Sequence, residues 1–138
     1  LIKKMASLLP AFLFAGCATS FTSIENTTSV PADRIFSQRL TTPSPNLSKV
    51  LIVRNGGTYI GSAGNLGVWL DGQKVAEIGA KERLAVYLED GQHVVKTGPL
   101  QFRAFNYDSS ALIVVPGKVG VYRIDMDSNG QTIQPSSE

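Results

Sequence analysis

The hydrophobic pattern changes character twice along the chain. Ala6 to Ala15 is an uncharged, mostly apolar run of ten residues. Residues 18–29 are rich in Ser and Thr and show no periodicity. From Lys49 onward, apolar and β-branched runs of four to eight residues alternate with turn signals, which is the signature of short strands. The pattern predicts strands near Lys49–Arg54, Gly67–Asp71, Lys74–Ile78, Leu84–Glu89, His93–Thr97, Leu100–Phe105, Leu112–Val115 and Val119–Asp125. Leu84, Val86 and Leu88 alternate with Ala85 and Tyr87, and Leu100, Phe102 and Ala104 with Gln101 and Arg103. One buried face and one wet face point to antiparallel sheets. Asp71-Gly72 and Asp90-Gly91 are hairpin signals, since glycine tolerates φ > 0, and Asn129-Gly130 is a third turn signal. The chain ends in polar Gln134-Pro135-Ser136-Ser137-Glu138, which are expected to fray.

Between the tether-like segment and the strands, Ser29 is placed to cap a short helix over Ala32 to Gln38, with Pro31 and Asp33 in its first turn and a strand as the alternative. Residues 41–48 form a Pro- and Ser-rich connection. The fold expected is mainly β: a small antiparallel β-sandwich of seven to eight strands with one short N-terminal helix. Three regions follow: residues 1–16 as a leader, 17–30 as a tether, and 31–138 as a single β domain. Twelve extended tether residues reach at most about 40 Å.

The leader sets the compartment. Lys3 and Lys4 precede the apolar run, which is too short to span a bilayer as a helix, and Ala15 and Gly16 are small residues before Cys17. Leu1 is read as a non-AUG start written literally, or as lying just downstream of the start. The stretch Leu13-Phe14-Ala15-Gly16-Cys17 resembles the lipobox of a bacterial lipoprotein, with Phe14 where Leu is usual. The resemblance implies cleavage between Gly16 and Cys17, acylation of the Cys17 thiol (palmitate or a similar chain), and usually of the new α-amine. Ala18, rather than Asp, implies by the same resemblance a lipid anchor in the outer membrane, with the domain facing the periplasm.

Composition then narrows the partners. Lys3 and Lys4 leave with the leader, so eleven basic residues face eleven acidic ones in the remaining chain. A nearly neutral domain gives no footprint for nucleic acid. Cys17 is the only cysteine, so an acylated Cys17 leaves no thiol for a disulfide.

Residues 68–95 resemble the repeated theme of small envelope lipoproteins with a transthyretin-like or PEGA-like β-sandwich. The theme is a strand ending in Asp71-Gly72, a return strand, an apolar strand and the Gly91-Gln92-His93 turn. Residues 115–126 match the closing strand of that family after Gly117-Lys118. Its motifs encode turns, so the resemblance speaks for fold more than activity.

Candidate chemistry is sparse. His93 is the single histidine and follows a turn, where its ring can bond backbone carbonyls; a metal site without a second His or a free Cys is unusual. Asp71 and Asp90 are expected to bond their own turns. Asp125 and Asp127 resemble a calcium loop only faintly, and Asn129-Gly130 follows too early. No serine sits in G-x-S-x-G. The stretch Arg54–Gly72 holds Gly56, Gly57, Gly61, Gly64, Gly67 and Gly72, yet no G-K-[ST] follows Gly67 and a strand comes next, so no phosphate cradle forms. It reads as a flexible crossing between strands.

No enzyme, cofactor, metal or nucleotide is expected. The leading expectation is a non-enzymatic, lipid-anchored envelope protein whose β-sandwich presents sheet edges or loops to a protein partner. Gly61, Asn65, Arg103, Phe105 and Tyr107 are the candidate contact residues. The alternative is an inhibitor or immunity-type lipoprotein that blocks a lysozyme or toxin with the glycine-rich loop.

Overall fold

The computed structural model describes residues 19–57, 64–100, 107–127 and 130–138. The expected leader, Gly16 and Cys17 lie outside them, as do Gly61, Arg103, Phe105 and most of the expected strand Leu100–Phe105.

Among the described residues there are eleven strands and one α-helix. The strands are β1 (Thr19–Ser20), β2 (Thr28–Ser29), β3 (Ser48–Arg54), β4 (Gly56–Gly57), β5 (Leu66–Leu70), β6 (Gln73–Ile78), β7 (Glu82–Leu88), β8 (Gly91–Pro99), β9 (Asp108–Val114), β10 (Gly120–Asp127) and β11 (Gly130–Ser136). The helix, α1, is Gln38–Thr41. One sheet runs β11-β10-β3-β7-β2, a second runs β6-β5-β8-β9, and β1 pairs with β4. The two main sheets form a β-sandwich. Two of its pairings, β10 with β3 and β2 with β7, are parallel; the rest of both sheets is antiparallel.

The inward faces follow the period-2 pattern. Val50 and Ile52 of β3, Leu84, Val86 and Leu88 of β7, and Tyr122, Ile124 and Met126 of β10 supply one side of the core. Leu66, Val68 and Leu70 of β5, Ala76 and Ile78 of β6, Val95 of β8, and Leu112 and Val114 of β9 supply the other. Fully burying each large aliphatic side chain here stabilises the fold by about 1.5–3 kcal/mol. Asp71 and Gly72 both have positive φ, 47° and 83°, as a two-residue β5–β6 hairpin requires.

Four expectations are corrected. The helix over Ala32–Gln38 does not form. Ala32–Arg34 is a 3-10 turn, Ile35 bridges to Ala76, and the Phe36 N–H donates to the Val75 carbonyl. The segment thus extends β6 by a partial strand, because Ile35 gains more from packing on the core than from one turn of helix. Ser29 is no cap, since it pairs with Arg83 in β2; Ser37 caps α1 instead, its Oγ accepting from the Leu40 N–H.

The expected tether is docked rather than free across its described part. Thr19 and Ser20 pair with Gly57 and Gly56, Thr28 and Ser29 pair with Glu82 and Arg83, and Thr22, Thr27 and Val30 are buried. The polar side chains that concealed a periodicity bond to the sheet edge. The C-terminus does not fray, since β11 pairs with β10 from Gly130 to Ser136. Only Ile133 marks its buried face as apolar, with Gln131 buried beside it, so the alternation is faint.

The sheet edges are less open than expected. Ile35 and Phe36 cover β6. The β9 and β11 edges meet, where Asp108 accepts from the Ile133 N–H at 2.8 Å. Pro135 removes a donor near the end of edge strand β11.

Candidate functional site

The two ends of the sandwich differ. At one end lie Gly57, Gly64, Asn65, Gly79, Lys81, Leu100, Tyr107 and Gly130, together with β1. At the other lie the Asp71-Gly72 turn, Glu89 to His93 and the β9–β10 connection.

The first end is built around two arginines. Arg54, at the end of β3, is fully buried and donates to the carbonyls of Gly64 (2.7 Å) and Ile78 (2.9 Å) and to Met126 Sδ (3.1 Å). Burial pulls its pKa down to about 10, with Glu82 acting in the opposite sense, so it stays charged at neutral pH. It therefore ties the chain re-entering at Gly64 to β6. Arg34 grips Glu82 with both Nη atoms, at 2.8 and 2.5 Å, and the Gly79 N–H donates to the same carboxylate at 2.6 Å. Burial pushes the Glu82 pKa up, but these bonds and the two arginine charges bring it below the usual carboxylate range.

On the outer face of the five-stranded sheet, Arg123 joins both termini. Its Nη1 donates to the Thr22 carbonyl and to Asn55 Oδ1, both at 2.7 Å, and its Nε donates to the Glu138 carbonyl at 2.7 Å. Asn55 Nδ2 donates to Asp125 at 2.5 Å, the Thr22 N–H to Asn55 Oδ1 at 3.2 Å, and the Gly56 N–H to Thr22 Oγ1 at 2.8 Å. The Phe21 ring covers the guanidinium at 4.1 Å. Burial lowers the Arg123 pKa, offset in part by Asp125 and Glu138. Asp125, one of the two carboxylates of the faint calcium-loop pattern, thus serves this network. Sequence reasoning missed it, because Arg123 stands in an ordinary strand position and Asn55 in the single-residue link between β3 and β4, 68 residues away.

The outer face of the four-stranded sheet carries a different arrangement. Trp69, Lys96 and Ser109 lie in register across β5, β8 and β9. Gly67 and Gly98 are also cross-strand partners. The Trp69 ring lies over Gly67 and the Tyr107 ring over Gly98, each filling space that a Cβ would need. The two rings meet edge to face, 5.6 Å apart, and the Lys96 ammonium sits 5.0 Å from each centroid. Farther along the same face, toward the His93 end, Val94 and Ile113 are exposed at 48% and 51%; Tyr107 itself is exposed at 55%. Tyr107 is therefore on the surface, as expected. Asn65 is exposed at the same end of this sheet.

At the opposite end His93 clamps the two sheets. Its Nδ1 meets Asp71 Oδ2 at 2.6 Å and its Nε2 meets the Glu89 carbonyl at 2.7 Å. Both partners are acceptors, so both bonds form together only when the ring is doubly protonated. Partial burial lowers the His93 pKa, but the bonds to Asp71 and Glu89 outweigh it and the net direction is up. Asp71 also accepts from the Val94 N–H at 2.9 Å, and Asp90 accepts from Ser48 Oγ at 3.1 Å; both reach across to other strands rather than to their own turns. A cleft of about 310 Å³, lined by Leu40, Leu70, Tyr87 and His93, lies beside the clamp. Among the described residues no group of three or more His, Cys, Asp or Glu could hold a metal ion, and no helix is long and apolar enough to cross a membrane.

No family model, curated protein or solved structure matches this chain. The transthyretin-like or PEGA-like resemblance therefore rests on residues 68–95 and 115–126 alone.

Proposed function

We propose that the protein is a lipid-anchored, non-enzymatic binding domain of the bacterial envelope, acylated at Cys17 and held at the outer membrane. It acts by presenting the outer face of its four-stranded sheet to a protein partner. The observation that carries the binding surface is the exposure of Val94, Ile113 and Tyr107 on the face that also bears the Trp69–Lys96–Tyr107 cluster. Aromatic and apolar groups rimmed by a cation suit a protein interface. The covered or blunted edges β6 and β11 favour this face over edge pairing. The anchor is supported by the lipobox-like Leu13–Cys17.

Photo-crosslinkers placed at Ile113 and, on the opposite sheet, at exposed Thr132 test the surface in intact cells. A discrete adduct from position 113 and none from 132 is the expected result. Equal adducts from both positions would remove this face from the proposal.

A further inference from the structure

The depth at which this domain sits follows from where its N-terminal segment first touches it. A free tether over residues 18–29 reaches about 40 Å. Instead, pairing begins at Thr19, opposite Gly57, and continues through Ser20 and Gly56. Thr22 is held on both its N–H and its hydroxyl, by Asn55 and Gly56. Arg123 holds the Thr22 carbonyl, and Arg83 bonds the Thr27 carbonyl and, at 3.2 Å, its hydroxyl. The Thr28 and Val30 N–H groups donate to the carbonyls of Lys81 and Arg83. Every few residues the segment is fastened, so it is part of the domain.

Cys17 stands two residues before Thr19, a span of at most about 7 Å. Resting on the proposed acylation of Cys17, we infer that the domain is seated end-on against a lipid surface. The end that carries Gly57, Asn65, Lys81 and Tyr107 faces the lipid, and the His93 end points away.

The chemistry of the near end fits a headgroup layer. Among the described carboxylates of this end, Glu82 is engaged by Arg34, Asp125 by Asn55 and Asp108 by the Ile133 N–H. Lys81 and Asn65 are exposed and suited to headgroup oxygens. Tyr107, exposed at 55%, is an aromatic group of the kind that favours a bilayer interface. The far end instead carries Asp90, Glu89 and the Asp71–His93 pair, with Lys118 on the turn before β10.

Full-length acylated protein in phosphatidylethanolamine–phosphatidylglycerol vesicles tests the seat. Single cysteines, Asn65→Cys at the near end and Lys118→Cys at the far end, are labelled with a bulky, impermeant maleimide. Each variant is also made with a flexible twelve-residue spacer inserted after Ala18. The expected result is labelling at 65 several-fold slower than at 118, and equal rates once the spacer is present. Equal rates without the spacer overturn the seat, as does slow labelling at 65 that the spacer leaves unrelieved, because the shielding is then intrinsic to the domain. The mass of the Cys17 peptide is read from the same samples. An acylated peptide with equal rates removes only the seat; an unmodified peptide removes the anchor and the seat together.

Discussion

At the scale of single residues, His93 and Gly98 have effects that can be measured separately. His93 with both ring nitrogens on acceptors is a charged clamp between the Asp71 turn and Glu89. Its raised pKa contributes stability that is fully present below the ordinary value of 6.5 and is lost as pH rises through the folded value. Asp71, lowered from 3.8, contributes stability above that value and loses it as pH falls through its own folded pKa. The pair is therefore strongest between about pH 4 and 6.5. His93→Gln is expected to reduce stability by about 0.5–1 kcal/mol in that window and by less as pH rises through the folded His93 pKa, as seen in thermal unfolding across pH. A loss that does not vary with pH contradicts the charged clamp.

Gly98 is a second such position. A Cβ there would lie 1.9 Å from Tyr107 Cδ1. The exposed ring can swing away, so Gly98→Ala is expected to cost only about 0.5–1.5 kcal/mol, the size of one aromatic pair. The decisive reading is the emission of Trp69, the one tryptophan. It should shift as Tyr107 leaves its edge, and unchanged emission contradicts the packing.

At the scale of elements, the docked segment of residues 19–30 is the main departure from what the pattern predicts. Arg123→Gln removes a charged donor shared by Thr22, Asn55 and Glu138. It is expected to cost about 1–3 kcal/mol and to speed hydrogen exchange at Thr22, Thr28 and Val30, while the β8–β9 amides stay protected. Uniform loss of protection would mean that the segment does not move as a unit.

The strands that supply the core were legible because their inward residues are consistently apolar, as in Leu84, Val86 and Leu88. The hairpin at Asp71-Gly72 was legible because positive φ selects glycine and aspartate. The role of His93 as a structural bond to a loop carbonyl was also readable, though its Asp71 partner was not. What the pattern could not reveal depends on distant polar partners. Thr22, Thr27 and Gln131 are buried and look like loop residues until Arg123, Arg83 and Thr97 are placed beside them. The glycines of 54–72 separate in the same way. Gly67 makes room for a ring, Gly56 lies against the Lys81 side chain, and Gly64 supplies a positive φ of 68°. Each is a close-approach or turn position, as glycine chemistry suggests, but which neighbour approaches is decided by the sheets.

At the scale of the whole molecule, the β-sandwich puts its arginine-tied end beside the start of the docked segment 19–30 and its His93 clamp at the other. Its outer faces are divided: the five-stranded sheet is crossed by the docked segment, and the four-stranded sheet is left with Trp69, Val94, Tyr107 and Ile113 toward solvent. The proposed seat and the proposed partner face meet at Tyr107, which leaves the Val94 and Ile113 part of the face to the partner. All of it depends on the chemistry of Cys17. The most direct measurement is the mass of the N-terminal peptide of the mature protein extracted from membranes. The account predicts a peptide that begins at Cys17 and carries acyl chains, lost in Cys17→Ser together with membrane partitioning. A peptide that retains residues before Cys17, or an unmodified Cys17 thiol, would contradict it.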